Sequence, residues 1–523
     1  MKKLLSFILA LLSFTFCYAN KYKINKVDYS IEASTKIALG ITKPYCLEQK
    51  VPVNTNTVFE SEEELLEYLE DYKQQLNNTR VFADLSVEYD ILNIELPSED
   101  DIYKVNLKVY LVDSLHLFFI PGPKYDSNDG LTIKIKIKDR NFLGTLNTLN
   151  SDINVLLPTF ESDNKDRKYG MNFSFDYPFK AGIFDSTWVN DAGISYTSTD
   201  DMPEWNVKTG LVLSLPFDNY SLVMGVYQKF INNLDYKSYD DAVYFSEEFT
   251  FSVPISVYQS KRFGTFSYTP YVDTYFYWDF NKISKDNSSL ASPVINFGHS
   301  FSIGRVDWQY NLRNGISLSL SNYYIYNFSR KLFYPIISLD TSFFKSFTLF
   351  DAPVFNRIGL NARLYSFIYM LNPEKHEYIK GDGISIGGRL RGIRDTQYFP
   401  GTDTSILSPT SAIVLNFDLP YHLFTTNFTT KFINYFNFDL QVSPFIDIAL
   451  TYNKFTNDWY SLKDGFYTAG LEFLVYPCKW SSITVRANLG YDIGRKFLKD
   501  YLNMDWRDDS SLWEFYFGLS LHY

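Results

Sequence analysis

The chain has 523 residues and a formal net charge of −11, a length that fits either two to four soluble domains or one small domain and one large barrel. The acidic balance argues against nucleic acid as a partner. Aromatic residues make up 18% of the chain, with 42 Tyr and 46 Phe. Past residue 19, however, no apolar run approaches the ~18 residues that a spanning helix needs, which excludes a helical membrane protein.

Met1-Lys2-Lys3 followed by Leu4 to Phe16 is a charged segment and then an apolar one, and Cys17-Tyr18-Ala19 places small residues where a signal peptidase reads. Residues 1–19 are therefore expected to be a signal peptide, with a mature start at Asn20. A lipid-bearing Cys17 is the lesser reading, because Phe16 is bulky where a small residue is usual. Cys46 and Cys478 remain in the mature chain. A single bridge and two free thiols are both compatible with them, but a disulfide framework is not. No metal-ligand spacing is present, and no cofactor is expected.

Residues 20–113 read as a compact α/β unit. Lys23 to Tyr29 is a strand candidate. Ser61-Glu62-Glu63-Glu64 is a capping box, in which hydroxyl and carboxylate satisfy each other's exposed amides. Leu65, Leu69, Tyr72 and Leu76 then recur at helical spacing on one face, and Asn77-Asn78 stops the helix. Val81 to Tyr89 and Val105 to Val112 are the next strands.

From about residue 115 the period becomes two, and residues 114–523 are expected to form a barrel. Leu131, Ile133, Ile135 and Ile137 alternate with Thr132, Lys134, Lys136 and Lys138. Val485, Ala487 and Leu489 face away from Arg486, Asn488 and Gly490, and Trp513, Phe515, Phe517, Leu519, Leu521 and Tyr523 hold one face of the last strand. Long alternating strands with aromatics near their ends fit a lipid-facing exterior and a polar lumen better than a soluble sandwich. The strand count falls between 16 and 18, with 310–355 the ambiguous stretch; closed bacterial barrels use even counts, and of the two even values sixteen is the expected number. The first-strand candidate, Leu115 to Pro121, is short and runs into Pro121-Gly122-Pro123, so a weak seam is expected between first and last strands.

Several segments resemble one family. The helix ending Asn77-Asn78-Thr79-Arg80-Val81-Phe82 resembles that of a POTRA (polypeptide-transport-associated) domain. The junction Tyr125 to Gly130 and Asp139 to Thr145 looks like the start of the barrel in the BamA/TamA superfamily of outer-membrane insertases and two-partner secretion transporters. Gly388-Arg389-Leu390-Arg391-Gly392-Ile393-Arg394 resembles the family's Val-Arg-Gly-Phe/Tyr motif, which tips a long extracellular loop folded back into the lumen. Five strand candidates follow it (408–419, 437–451, 465–476, 480–492 and 512–523), the family's number. Phe445-Ile446-Asp447-Ile448-Ala449 is similar to a second family motif. Three positions depart from the pattern: Ile393 for an aromatic, Ala449 for Gly, and Asn416 where a Glu is usual.

Parity adds a physical reading. Leu440, Val442, Ile446, Ile448 and Leu450 share one face and Asp439, Gln441, Ser443 and Asp447 the other, so Asp447 is expected in the lumen. The resemblance brings Arg391 to it, with Asp418 as a second acceptor; Arg389, Gly392 and Ile393 complete the loop motif. The alternative is a solvated basic loop tip. Gly518, Leu521 and Tyr523 resemble the C-terminal assembly signal of outer-membrane barrels. The five scattered His residues and the lack of a nucleophile motif point away from an enzyme. What the resemblance implies is a bacterial outer-membrane factor for protein assembly, insertion or polypeptide translocation, its N-terminal domain in the periplasm. Its partners would be membrane lipid, unfolded or exported polypeptide clients, and periplasmic or lipoprotein partners through the POTRA-like domain. The alternatives are a two-partner exporter of one dedicated substrate and a divergent channel or surface antigen.

Overall fold

A computed structural model describes residues 20–33, 40–92, 102–126, 130–157, 166–234, 243–280, 290, 292–329, 331–350, 354–370, 383–393, 406–430, 433–453, 457–479, 484–498, 501 and 512–519. The expected signal peptide and Arg394, Leu521 and Tyr523 lie outside them.

The N-terminal unit is a four-stranded sheet with two helices. Its elements are β1 (Lys21–Ala33), α1 (Pro44–Lys50), β2 (Val58–Phe59), α2 (Glu62–Asn78), β3 (Phe82–Ile91) and β4 (Ile102–Asp113). The order is β2-β1-β4-β3, with β1 parallel to β4 and β3 antiparallel to it. Leu65, Leu69, Tyr72 and Leu76 form the buried stripe of α2, as their spacing predicts. Leu65 and Leu69 pack on Val105 and Leu107, and Tyr72 and Leu76 on Val109 and Leu111. The cap departs slightly from expectation. Ser61 Oγ accepts from the Glu64 amide at 3.2 Å, but the Glu64 carboxylate reaches one residue further back, to the amide of Glu60 at 2.9 Å. Cys46 is buried in α1 and Cys478 is exposed; both thiols are free.

The larger unit is a closed sheet. It begins with β5 (Leu117–Asp126), β6 (Gly130–Asp139), β7 (Leu149–Leu157), β8 (Lys168–Ala181) and β9 (Phe184–Thr197). Next come β10 (Glu204–Pro216), β11 (Ser221–Asn232), β12 (Val243–Ser252), β13 (Ile255–Ser260) and β14 (Gly264–Trp278). β15 (Val294–Gln309), β16 (Leu312–Asn327), β17 (Leu332–Thr348) and β18 (Arg357–Tyr369) precede the long loop. After it run β19 (Ser411–Asp418), β20 (Tyr421–Thr425), β21 (Phe438–Asn453), β22 (Asp458–Trp459), β23 (Phe466–Pro477), β24 (Val485–Asp492) and β25 (Trp513–Leu519).

Three of these crossings are split in two. β12 and β13 both pair with β14 and break at Pro254, β19 and β20 both pair with β21 and break at Pro420, and β22 prolongs β23 along β21. Among the described residues the wall therefore has eighteen antiparallel crossings, which corrects the expected sixteen. The ambiguous stretch accounts for the difficulty. β15 turns into β16 through Tyr310-Asn311, both at positive φ (51° and 62°). That backbone suits a two-residue hairpin, but neither residue is the Gly or Pro that marks a turn in sequence. Five crossings follow the loop, as counted from the sequence. The first strand is also corrected: β5 runs through Pro121-Gly122-Pro123 and keeps register with β6 as far as Asp126 opposite Gly130. A proline lacks only its donor, so the rest of the ladder forms.

Parity follows the sequence. Ile133, Ile135, Ile153, Leu211, Phe249 and Phe515 lie exposed on the outer face, where lipid replaces water. Their sequence neighbours turn polar groups inward, as with Lys134 on Asp152 at 2.5 Å.

The two units touch. Arg80, at φ 55° just past α2, lays its guanidinium 4.2 Å from the Trp308 ring and donates to Asn311 Oδ1 at 3.0 Å. Asn78 donates to Asp307 at 2.9 Å, and Arg305 reaches Asp71 at 2.5 Å. At the joint, Asp113 accepts from the Thr42 amide and hydroxyl, both at 2.7 Å, and His116 Nδ1 lies 2.5 Å from Asp139.

Because both apolar clusters close almost entirely within the smaller unit, residues 20–113 expressed alone are expected to give a soluble, folded α/β monomer. Leu69→Ala in that fragment should cost roughly 2–5 kcal/mol in chemical denaturation. An unfolded or insoluble fragment would place the boundary elsewhere.

Candidate functional site

The described parts of the loop between β18 and β19, residues 383–393 and 406–410, lie inside the barrel. Their two limbs pair with each other, Ile384 N on Pro409 O at 3.1 Å and Ile386 N on Leu407 O at 2.8 Å. Apolar side chains seat the loop on the wall. Ile386, Leu390, Ile393, Ile406 and Leu407 pack against Phe367, Val414, Ala449 and Phe466 in one buried cluster. Two of the three positions that depart from the resembled motifs lie in this cluster. Ile393 is buried in this mixed aliphatic and aromatic cluster, and Ala449, fully buried there, adds a methyl that Gly lacks.

Arg391 is the polar centre. It is 2% exposed and meets carboxylates from three neighbouring strands. Nε and Nη2 donate to the two oxygens of Asp447 at 2.9 and 2.7 Å, and the Arg391 amide adds a third bond at 2.9 Å. Nη1 reaches Asp418 at 2.5 Å and Glu472 at 3.3 Å. The strands set this up by parity and register. Asp447 stands opposite Asn416 on β19 and Thr468 on β23, so all three carboxylates share the inner face. The guanidinium also lies 3.8 Å from the Phe445 ring centre. That ring has room because residue 470 is glycine; a Cβ there would sit 2.6 Å from the ring edge.

Two glycines let the backbone approach this closely. Gly392 has φ 93°, and a Cβ on it would come within 2.7 Å of the Tyr491 amide; one on Gly490 would come within 2.4 Å of the Gly392 amide. The Gly392 amide donates to Glu514 on β25 at 2.6 Å, so the loop is tied to the last strand as well. Arg389 points to the other side. It lies 3.4 Å over the Tyr365 ring and 3.3 Å from Asp340, which Arg363 holds with bonds of 3.1 and 2.5 Å. Asn416, the third departure, donates to the Arg389 carbonyl at 2.7 Å and so fastens the loop through its backbone.

Of the residues singled out in sequence, the structure thus brings together Arg391, Asp447 and Asp418, with Arg389, Gly392 and Ile393 beside them. Gly518 lies apart on β25, with a Cβ position 2.3 Å from the Tyr516 hydroxyl. Glu472, Glu514, Asp340 and Arg363 were missed. Glu472 was findable, being the only carboxylate on the inner parity of the 465–476 candidate. Among the described residues no cluster of His, Cys, Asp and Glu with metal-binding geometry occurs.

A closed barrel with an apolar outer belt, a polar inner wall and a loop folded back inside is a transmembrane β-barrel of the outer-membrane type. In fold it is similar to CdiB from Acinetobacter baumannii, with 12% identity over 90% of this chain and 70% of that one and a TM-score of 0.44. It is also similar to CdiB from Escherichia coli, with 8% identity over 97% and 91% and a TM-score of 0.40. A third similar structure is BamA from Haemophilus ducreyi lacking POTRA domains 1-3, with 13% identity over 94% and 84% and a TM-score of 0.36. No family model and no curated protein sequence matches the chain.

Removing Arg391 leaves three buried carboxylates without their shared cation, and removing Asp447 leaves Arg391 on Asp418 and Glu472 without its bidentate partner, a cost of up to about 3–5 kcal/mol. Arg391→Ala and Asp447→Ala are each expected to release the loop, read as new protease cleavage near residue 391, and the double variant should be little worse than either. Arg391→Lys should not rescue, because an ammonium cannot bridge both Asp447 oxygens. Additive effects would mean that the two residues act independently. Gly392→Ala should loosen the loop without altering any charge; unchanged proteolysis would show that the close backbone approach is dispensable.

Proposed function

We propose that this protein handles polypeptides at the bacterial outer membrane, as an assembly or translocation factor whose N-terminal domain lies in the periplasm and receives clients. The observation that carries the reading is Arg391, buried in the lumen on Asp447, Asp418 and Glu472. A loop held this firmly inside the barrel makes the lumen a shaped cavity rather than an open pore. The motif around it is the segment that resembles the insertase and secretion family.

Two further features support the reading. The sheet closes between β25 and β5, and β5 contains Pro121 and Pro123. Residues two apart aim their N–H groups at the same neighbour, so both missing donors weaken a single ladder. In the N-terminal sheet, β2 covers only Tyr22 and Lys23 of β1. Among the described residues the rest of that edge is unpaired, the form of edge to which an extended chain adds as a strand.

Depletion followed by an outer-membrane proteome tests the proposal. Loss of many barrels supports assembly, and loss of one exported protein supports a dedicated exporter. An unchanged proteome would leave a passive channel or surface antigen. Deleting residues 22–113 should leave a barrel that inserts but has no activity; full activity without them would remove the client-docking role.

A further inference from the structure

The inner face of β6 continues beyond the strand as a column of cations. Lys134, Lys136, Lys138 and Arg140 recur at every second residue, on the parity opposite the outward Ile133 and Ile135. The upper rungs have an acid to meet. Asp152 takes Lys134 at 2.5 Å and Asn172 Nδ2 at 3.0 Å, and Lys136 stands opposite it in register. The lower rungs do not. Lys138 faces Asn150, and its charged neighbours are Arg140 and Lys136, both positive. The Arg140 side chain has no hydrogen bond or ion pair among the described residues, and burial without an opposing carboxylate pushes its guanidinium below the usual range.

Arg140 also lines a cavity of about 430 Å³ between the N-terminal unit and the first turn of the barrel, with Lys50, Gln75, Asn78, Thr79 and Thr148 around it. Val51, Val81 and Leu146 add an apolar wall. The chain is strongly acidic overall, yet this cavity and the rungs above it offer unneutralised positive charge and amide or hydroxyl groups.

We propose that Arg140, Lys138 and Lys136 form a binding track for an extended, acidic polypeptide segment that enters through this cavity, a proposal that rests on the polypeptide-handling reading above. Spacing favours a peptide over other anions. Side chains two apart on a strand are separated by roughly 6.7 Å, and an extended ligand carrying acids at every second residue presents carboxylates at the same interval. The column faces the lumen, so the headgroups of the surrounding bilayer do not reach it.

The test uses full-length protein in detergent and a fluorescein-labelled ten-residue peptide of alternating Glu and Thr, followed by anisotropy. A Gln-Thr peptide and inorganic phosphate are the comparisons. The Glu peptide should bind more tightly than the Gln peptide and weaken as salt rises. The double variant Lys138→Gln/Arg140→Gln should weaken it roughly tenfold, the sum of partly solvated ion pairs. Each single variant, checked for an unchanged circular dichroism spectrum, should show part of that loss. Lys229→Gln, whose lysine already pairs with Glu248 at 3.3 Å, should show none. Equal binding of both peptides, or binding unaffected by the double variant, would overturn the track. So would displacement by phosphate at the peptide's own concentration, which would reveal a site that reads any anion. None of these outcomes bears on the depletion experiment, so the track can fail while the polypeptide-handling function stands.

Discussion

A guanidinium taken out of water has to be surrounded by carboxylates, and this requirement organises half of the barrel. Arg391 needs Asp447, Asp418 and Glu472 on one inner surface. That in turn fixes the register of β19, β21 and β23, because a slip of one residue would turn every acid toward lipid. It also requires small residues where backbones meet, at Gly392 and Gly490, and space behind Phe445 at Gly470. The apolar seat beneath the loop then excludes water from the pair, which strengthens it while making either partner costly to lose.

The smaller unit is joined to the barrel by contacts of a different kind. Here the groups are partly solvated: Asp71 on Arg305, Asn78 on Asp307, and Arg80 stacked on Trp308. Such contacts are individually modest. They orient the domain against the mouth of the barrel without welding it there. The joint itself is tighter, since Asp113, Asn141, His116 and Asp139 are all buried.

Much of this was legible in the sequence because a strand and a helix each impose a period. The stripe Leu65, Leu69, Tyr72, Leu76 and the placement of Asp447 in the lumen both follow from counting residues. Asp418 emerged from the same count, together with the gap that Asn416 leaves. What parity does not give is distance across the lumen. Arg389 finds Asp340 on β17, and Gly392 finds Glu514 on β25, through the path of a loop whose course no periodicity records. Tight turns were hidden for a related reason. Tyr310 and Asn311 adopt a left-handed backbone, so the hairpin they make carries no Gly or Pro marker, and the count from sequence stays between 16 and 18 with sixteen preferred. The prolines of β5 misled in the opposite sense, since a missing donor reads as a break where only one side of the ladder is affected.

Ring closure also has a consequence for how the barrel comes into being. Apart from the seam, each crossing of the wall pairs with its neighbour in sequence, so a hairpin at a time can form as the chain is laid down. β25 and β5 lie at opposite ends of the barrel sequence, and their pairing waits for every intervening strand. The entropy of closing so long a segment makes this contact the slowest to form. Until then the molecule is an open sheet with two bare edges and an apolar outer face, a species prone to aggregate in water. A protein built this way therefore depends, for its own maturation, on being sheltered until its final strand arrives.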